Sequence, residues 1–120
     1  MDKANYKGRH IFMVGIGGSS MSGLAEILLK QGARVSGSDS SASHAVERLR
    51  AMGAEVFVGH RAENLGSPDF LVYSAAISAD NPERAAAEAR GIPQITPGIS
   101  LSFFTMVSRR RRYSSRTTSK

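Results

Sequence analysis

The residues with the clearest chemical use lie in Gly15-Ile16-Gly17-Gly18-Ser19-Ser20-Met21-Ser22-Gly23. This glycine-rich stretch separates an apolar run, Ile11 to Val14, from a segment whose apolar residues Met21, Leu24, Ile27 and Leu28 recur at helical spacing. A strand that turns through glycine into a helix is a construction that holds phosphate. Gly15 allows the tight turn off the strand, and Gly17 carries no side chain to block an approaching diphosphate. The helix start then offers unpaired N–H groups and about half a positive charge to the anion. The spacing follows G-x-G-x-x-G except at the third glycine, where Ser20 stands. That position normally lets helix and strand pack closely. Ser20 is small, and Gly23, one turn later, is expected to supply part of that contact.

A nucleotide site of this kind also uses an acidic residue at the end of the next strand. Asp39, which closes Val35-Ser36-Gly37-Ser38, stands at the matching distance from the glycine turn. His60 follows the third apolar segment and Ser74 the fourth. A single histidine without clustered His, Asp or Glu gives no metal-site pattern, so no metal ligand and no catalytic residue is assigned. Met13, Met21 and Met52 lie in apolar patterns and read as core.

The elements that must position these residues follow from periodicity and punctuation. The first helix runs to about Gln31, with Gly32 at its stop. Residues 33–39 read as a second strand. Ser43 caps a helix through Val46, Leu49 and Met52 that Gly53 closes. A third strand covers 54–58, and a polar loop passes through Asn64, Gly66, Ser67 and Pro68. A fourth strand covers 70–73. Asn81 as N-cap and Pro82 at the first helical position open a helix to Arg90, ended by Gly91. Residues 94–96 form a short fifth strand, and 101–107 a last apolar segment. Strands alternating with helices at this spacing imply right-handed βαβ units. The expected fold is α/β, a Rossmann-like doubly wound parallel sheet of five strands in the order 3-2-1-4-5. Its ligand crevice lies beyond the carboxyl ends of the strands, where the order reverses between strands 1 and 4. Gly15 to Ser20, Asp39, His60 and Ser74 all fall at that edge.

Composition bounds the partners. The chain has 120 residues and no cysteine, which excludes disulfides, thiolate metal sites and cysteine nucleophiles. Its net charge of +6 is unevenly placed. Residues 1–108 carry ten Lys or Arg and ten Asp or Glu, whereas residues 109–120 carry six Lys or Arg and no acid. The expected organisation is a domain over 1–108 and a disordered basic tail over 109–120. No nucleic acid is then expected to bind through the folded domain, and an RNA-interacting role would belong to the tail. No apolar run is long enough to span a membrane, and no secretory signal pattern opens the chain. A cytoplasmic protein without membrane partners is expected.

The run from Gly15 to Ala25, with Val35-Ser36-Gly37-Ser38-Asp39, Gly59-His60, Ala75-Ala76-Ile77 and Asp80-Asn81-Pro82-Glu83, resembles the Mur ligases. The likeness extends over about residues 8–96 and is nearest to the N-terminal domain of members that join L-alanine to UDP-N-acetylmuramate. The resemblance implies a peptidoglycan-precursor ligase whose glycine turn holds the diphosphate of UDP-N-acetylmuramate. It carries Gly15, Gly17, Gly18, Ser19 and Ser20 to diphosphate contacts, and Asp39, His60 and Ser74 to the uridine crevice. Ser20 departs from the glycine usual there. The family's ATP-binding loop, G-x-x-x-x-G-K-[ST], does not occur in the 120 residues. ATP and Mg²⁺ therefore belong to the full-length family. This chain, with no cofactor of its own, is expected to bind the UDP-sugar without ligating. The alternative is an NAD-binding module of a dehydrogenase or regulator, which Asp39 permits.

Overall fold

The computed structural model describes residues 6–97. The apolar segment 101–107, the basic stretch 109–120 and the domain limit at 108 lie outside the described residues. The elements in order are β1 (His10–Val14), α1 (Ser19–Lys30), β2 (Arg34–Asp39), α2 (His44–Ala51), β3 (Glu55–Val58), a 3₁₀ turn (Ala62–Leu65), β4 (Phe70–Tyr73), α3 (Pro82–Arg90) and β5 (Gln94–Ile95). They build one five-stranded sheet in the order β3-β2-β1-β4-β5, with every pairing parallel, as expected.

Alternation along β1 decides which helices cover which face. Ile11 and Met13 pack with Val35, Val56, Phe70 and Val72 against Met21, Ala25 and Leu28 of α1 and Val46 and Leu49 of α2. Phe12 and Val14 turn to the other face, with Leu71, Leu65 of the 3₁₀ turn and Ala87 of α3. Both faces of β1 are therefore buried from Ile11 to Val14, which is why that run is continuously apolar. Register brings the carboxyl ends level: Val14 lies beside both Ser38 and Tyr73, and Asp39 beside Val58. Gly15, Asp39, Gly59-His60 and Ser74 consequently share one edge. Among the described residues no helix is long and apolar enough to cross a membrane.

Helix starts follow their capping chemistry. Ser43 Oγ accepts the Val46 N–H at 3.3 Å, and Asn81 Oδ1 accepts those of Glu83 and Arg84 at 2.9 and 3.0 Å. α1 differs. It begins at Ser19, two residues before Met21, and has Gly18 as a cap residue without any side-chain hydrogen bond. The loop after His60 contains the 3₁₀ turn, anchored by fully buried Leu65. Gly23 does not serve helix–strand packing: it is exposed, and a Cβ there would meet nothing within 4 Å. Its place on the outer side of α1 is the reason. The close approach occurs at Gly37, where a Cβ would lie 2.3 Å from the Met13 carbonyl oxygen and 3.0 Å from Ile16 Cδ1.

Candidate functional site

The glycine turn is stitched to the end of β2. Gly15 has φ +78°, a conformation that favours glycine. The N–H groups of Gly15 and Ile16 both donate to the Ser38 carbonyl, at 2.8 and 3.0 Å, and that of Gly18 donates to the Gly15 carbonyl at 3.0 Å. The Gly17 N–H donates to Asp39 Oδ2 at 2.8 Å, and the Ser41 N–H reaches Asp39 Oδ1 at 3.4 Å. Asp39 and the turn thus come together directly.

Gly17 is glycine for an internal reason. A Cβ would lie 2.9 Å from Asp39 Oδ2, 3.0 Å from Val46 Cγ2 and 3.1 Å from Ser43 Oγ, so β2 and the start of α2 fill the space. At Gly18 the nearest atom would be the Gly15 carbonyl oxygen at 3.4 Å, an ordinary contact. Gly18, Ser19 and Ser20 are exposed. An α-helix leaves its first amides without intrahelical partners, and among the described residues no side chain caps this start. The outward chemistry of the turn is therefore the uncapped start of α1 and the hydroxyls of Ser19 and Ser20, which suit an anion.

His60 joins the edge from the face that carries α3. Its Nδ1 lies 2.8 Å from Ser38 Oγ and 3.2 Å from Glu83 Oε1. Glu83 is fully buried. Its Oε1 accepts from Ser38 Oγ at 2.8 Å, and its Oε2 accepts from Asn64 Nδ2 at 2.8 Å and the Arg61 N–H at 3.1 Å. Asn64 also donates to the Gly59 carbonyl at 2.9 Å. In the sequence Glu83 is legible only as an acid in a helix's first turn. Its partners come from β2 and the β3–β4 connection, and no local pattern announces them.

Ser74 stands apart from that network. It is half-buried, and its carbonyl accepts the Ile77 N–H at 3.0 Å. Ile77 carries the loop back to the turn, its Cδ1 3.6 Å from where a Gly15 Cβ would sit. Arg84 fixes this loop: it donates to the Ile77 carbonyl at 2.9 Å, donates through Nε to Gln94 Oε1 at 2.9 Å and lies 3.6 Å over the Tyr73 ring. Among the described residues no three His, Asp or Glu side chains converge as a metal site.

The opposite edge holds a second histidine. His10 Nε2 lies 2.7 Å from Ser36 Oγ, and the His10 N–H donates to Asp69 Oδ2 at 2.8 Å. Burial, and after it the Arg34 guanidinium, holds this imidazole below its ordinary value. Ser36 is almost wholly buried, so the pair is part of the core boundary and offers no open nucleophile.

Comparison with known proteins agrees with this architecture. A family model described as "Mur ligase family, catalytic domain" matches residues 10–102. The UDP-N-acetylmuramate–L-alanine ligase of Alkaliphilus metalliredigens is 55% identical over 85 residues, 71% of this chain and 18% of that protein. Among solved structures, the UDP-N-acetylmuramate-alanine ligase from Thermotoga maritima aligns with a TM-score of 0.73 at 33% identity, covering 84% of this chain and 23% of that one. The UDP-N-acetylmuramate:L-alanyl-gamma-D-glutamyl-meso-diaminopimelate ligase from Neisseria meningitides aligns with a TM-score of 0.69 at 32% identity, covering 74% and 28%. The chain spans about a fifth of the length of the curated relatives it matches. Since the family model covers most of the chain and the full five-stranded sheet, the chain belongs to the Mur ligase family and corresponds to its N-terminal domain.

Proposed function

We propose that the chain is the UDP-N-acetylmuramate-binding domain of a cytoplasmic peptidoglycan-precursor ligase that joins L-alanine to that sugar nucleotide with ATP. The observation that carries the reading is the uncapped start of α1, at the point where the strand order reverses between β1 and β4. The names of the relatives support the sugar nucleotide as the anion's source. In this reading Gly15 and Gly17 act by shaping the turn, because their amides are already used inside it. Gly18, Ser19 and Ser20 meet the diphosphate, and Ser20 adds a hydroxyl donor where the family usually has glycine. Asp39, His60 and Ser74 line the uridine side. ATP and Mg²⁺ act elsewhere in the full-length ligase, and the 120-residue polypeptide binds without ligating.

Calorimetric titration of the chain with UDP-N-acetylmuramate, NAD and UMP tests this. The UDP-sugar is expected to bind in preference to the other two. Asp39→Asn keeps an oxygen for the Gly17 amide while removing the charge and the second acceptor. It should weaken binding about tenfold, the cost of one lost hydrogen bond to a charged group. Preference for NAD would transfer the chain to the dinucleotide class, and absence of binding by a folded chain would refute the proposal.

A further inference from the structure

We propose that Glu83 is a positioning residue. Acting with Ser38, it holds His60 as the Nδ1–H tautomer and so presents Nε2 as a hydrogen-bond acceptor to the nucleoside part of a bound nucleotide. The second half of this statement rests on the binding function proposed above; the first half does not.

The tautomer follows from counting hydrogens. His60 Nδ1 faces two oxygens, Ser38 Oγ at 2.8 Å and Glu83 Oε1 at 3.2 Å. The Ser38 hydroxyl has one hydrogen and donates it to Glu83 Oε1 at 2.8 Å. Both oxygens then turn lone pairs toward Nδ1, which must carry the hydrogen. The carboxylate cannot swing away from this duty. Its other oxygen is held by the Arg61 N–H and Asn64 Nδ2, groups that only donate, and the whole side chain is buried.

Nε2 is left over. It makes no hydrogen bond among the described residues, and the His60 side chain is 25% exposed although its inner nitrogen sits on a carboxylate with no exposure. The ring is tied to the nucleotide edge, because the Gly59 N–H donates to the Asp39 carbonyl at 2.8 Å. A neutral imidazole with its hydrogen on Nδ1 accepts at Nε2. Its complement is a hydrogen-bond donor of the nucleoside, a ribose hydroxyl or a base imide N–H.

A role confined to packing would leave the tautomer indifferent to the charge of residue 83. Glu83→Gln distinguishes the two. Arg61 and Asn64 hold the amide oxygen on their side, so the amide N–H₂ faces Ser38 and His60. Nδ1 must then accept, the hydrogen moves to Nε2, and a donor replaces the acceptor at the crevice. Ser38→Ala leaves the carboxylate 3.2 Å from Nδ1 and so keeps the original tautomer.

The test is a long-range ¹H–¹⁵N correlation of the histidine rings in the full chain at about pH 8. Expected are Nδ1–H for His60 in the parent and in Ser38→Ala, and Nε2–H in Glu83→Gln. UDP affinity should fall about tenfold in Glu83→Gln. Titration with 2′-deoxy-UDP and N3-methyl-UDP identifies the donor, since the analogue lacking it loses the difference between parent and variant. An Nε2–H tautomer in the parent overturns the proposal without recourse to any variant. So does a Glu83→Gln protein that keeps Nδ1–H, or one that switches tautomer and binds UDP as the parent does. If the parent shows Nδ1–H and binds no UDP, the binding function fails while the tautomer assignment stands.

Discussion

Neighbouring glycines of the turn answer to different surroundings, and substitution separates them. A methyl at Gly17 would press on Asp39, Val46 and Ser43 at 2.9 to 3.1 Å, and it would disturb the carboxylate that holds the turn. Gly17→Ala should cost about 1–3 kcal/mol by urea unfolding, the range for overpacking a filled site. Gly18→Ala, with φ −65° and only a 3.4 Å contact, should stay within about 0.5 kcal/mol of the parent. Equal costs for the two would refute the packing account. His10 gives a prediction of pH dependence. Its pKa is lowered in the folded state, so the unfolded chain takes up the proton first as pH falls. His10 therefore contributes stability that is complete above its ordinary value of 6.5 and declines below it, until the folded state's own lower pKa is passed. Urea midpoints at about pH 7.5 and pH 5.5 should fall less in His10→Asn than in the parent.

At the scale of elements, two positions set how the walls of the crevice stand. Gly37 lets β2 run against β1 while Ile16 folds over it; a Cβ 2.3 Å from the Met13 carbonyl has no room, because the obstacle is a neighbouring strand's backbone. Gly37→Ala should cost about 3 kcal/mol or more, beyond the Gly17 effect, and a soluble variant of parental stability would contradict the pairing of Met13 with Gly37. Arg84 joins α3, β5 and the 74–77 loop. Arg84→Met keeps the aliphatic stem and loses these bonds. Hydrogen exchange should accelerate at Ile77 and around β5, with slight change in β1 and β2. The sequence made strands, helix caps and strand order legible because periodicity and capping are local signals. It left the 3₁₀ turn unread, since only Leu65 of Ala62–Leu65 is buried and no period forms over four residues. It likewise set Asp39 at the end of one strand and His60 after another, where the structure has them, but Glu83 and Ser38 act through partners far along the chain and Arg84 through partners outside its own helix. The glycine at position 17 was legible as necessary, while its cause, the packing of Asp39 and Ser43, was visible only in three dimensions.

For the molecule as a whole, the two covered faces of the sheet imply a unit able to fold by itself. One apolar cluster is closed by α1 and α2 and the other by α3 and the 3₁₀ turn, both made from residues 6–97. Heat should therefore unfold the chain in one cooperative transition. The candidate crevice joins segments from β1, β2, β3 and β4, so under the proposed function an unfolded chain presents no site and ligand binds the native state alone. Linkage then makes stability a measure of binding: at 100 times its dissociation constant, one ligand adds about 2.7 kcal/mol. For a domain of this size each kcal/mol raises the melting temperature by about 4–8 °C, so saturating UDP-N-acetylmuramate should raise it by more than about 10 °C. NAD at the same concentration should raise it less. Asp39→Asn should shrink the shift in proportion to its lost affinity while leaving the ligand-free transition cooperative. If the ligand-free chain melts without cooperativity, the two closed clusters are insufficient, and the unit needs further polypeptide of its relatives, of which the matched segment is about a fifth.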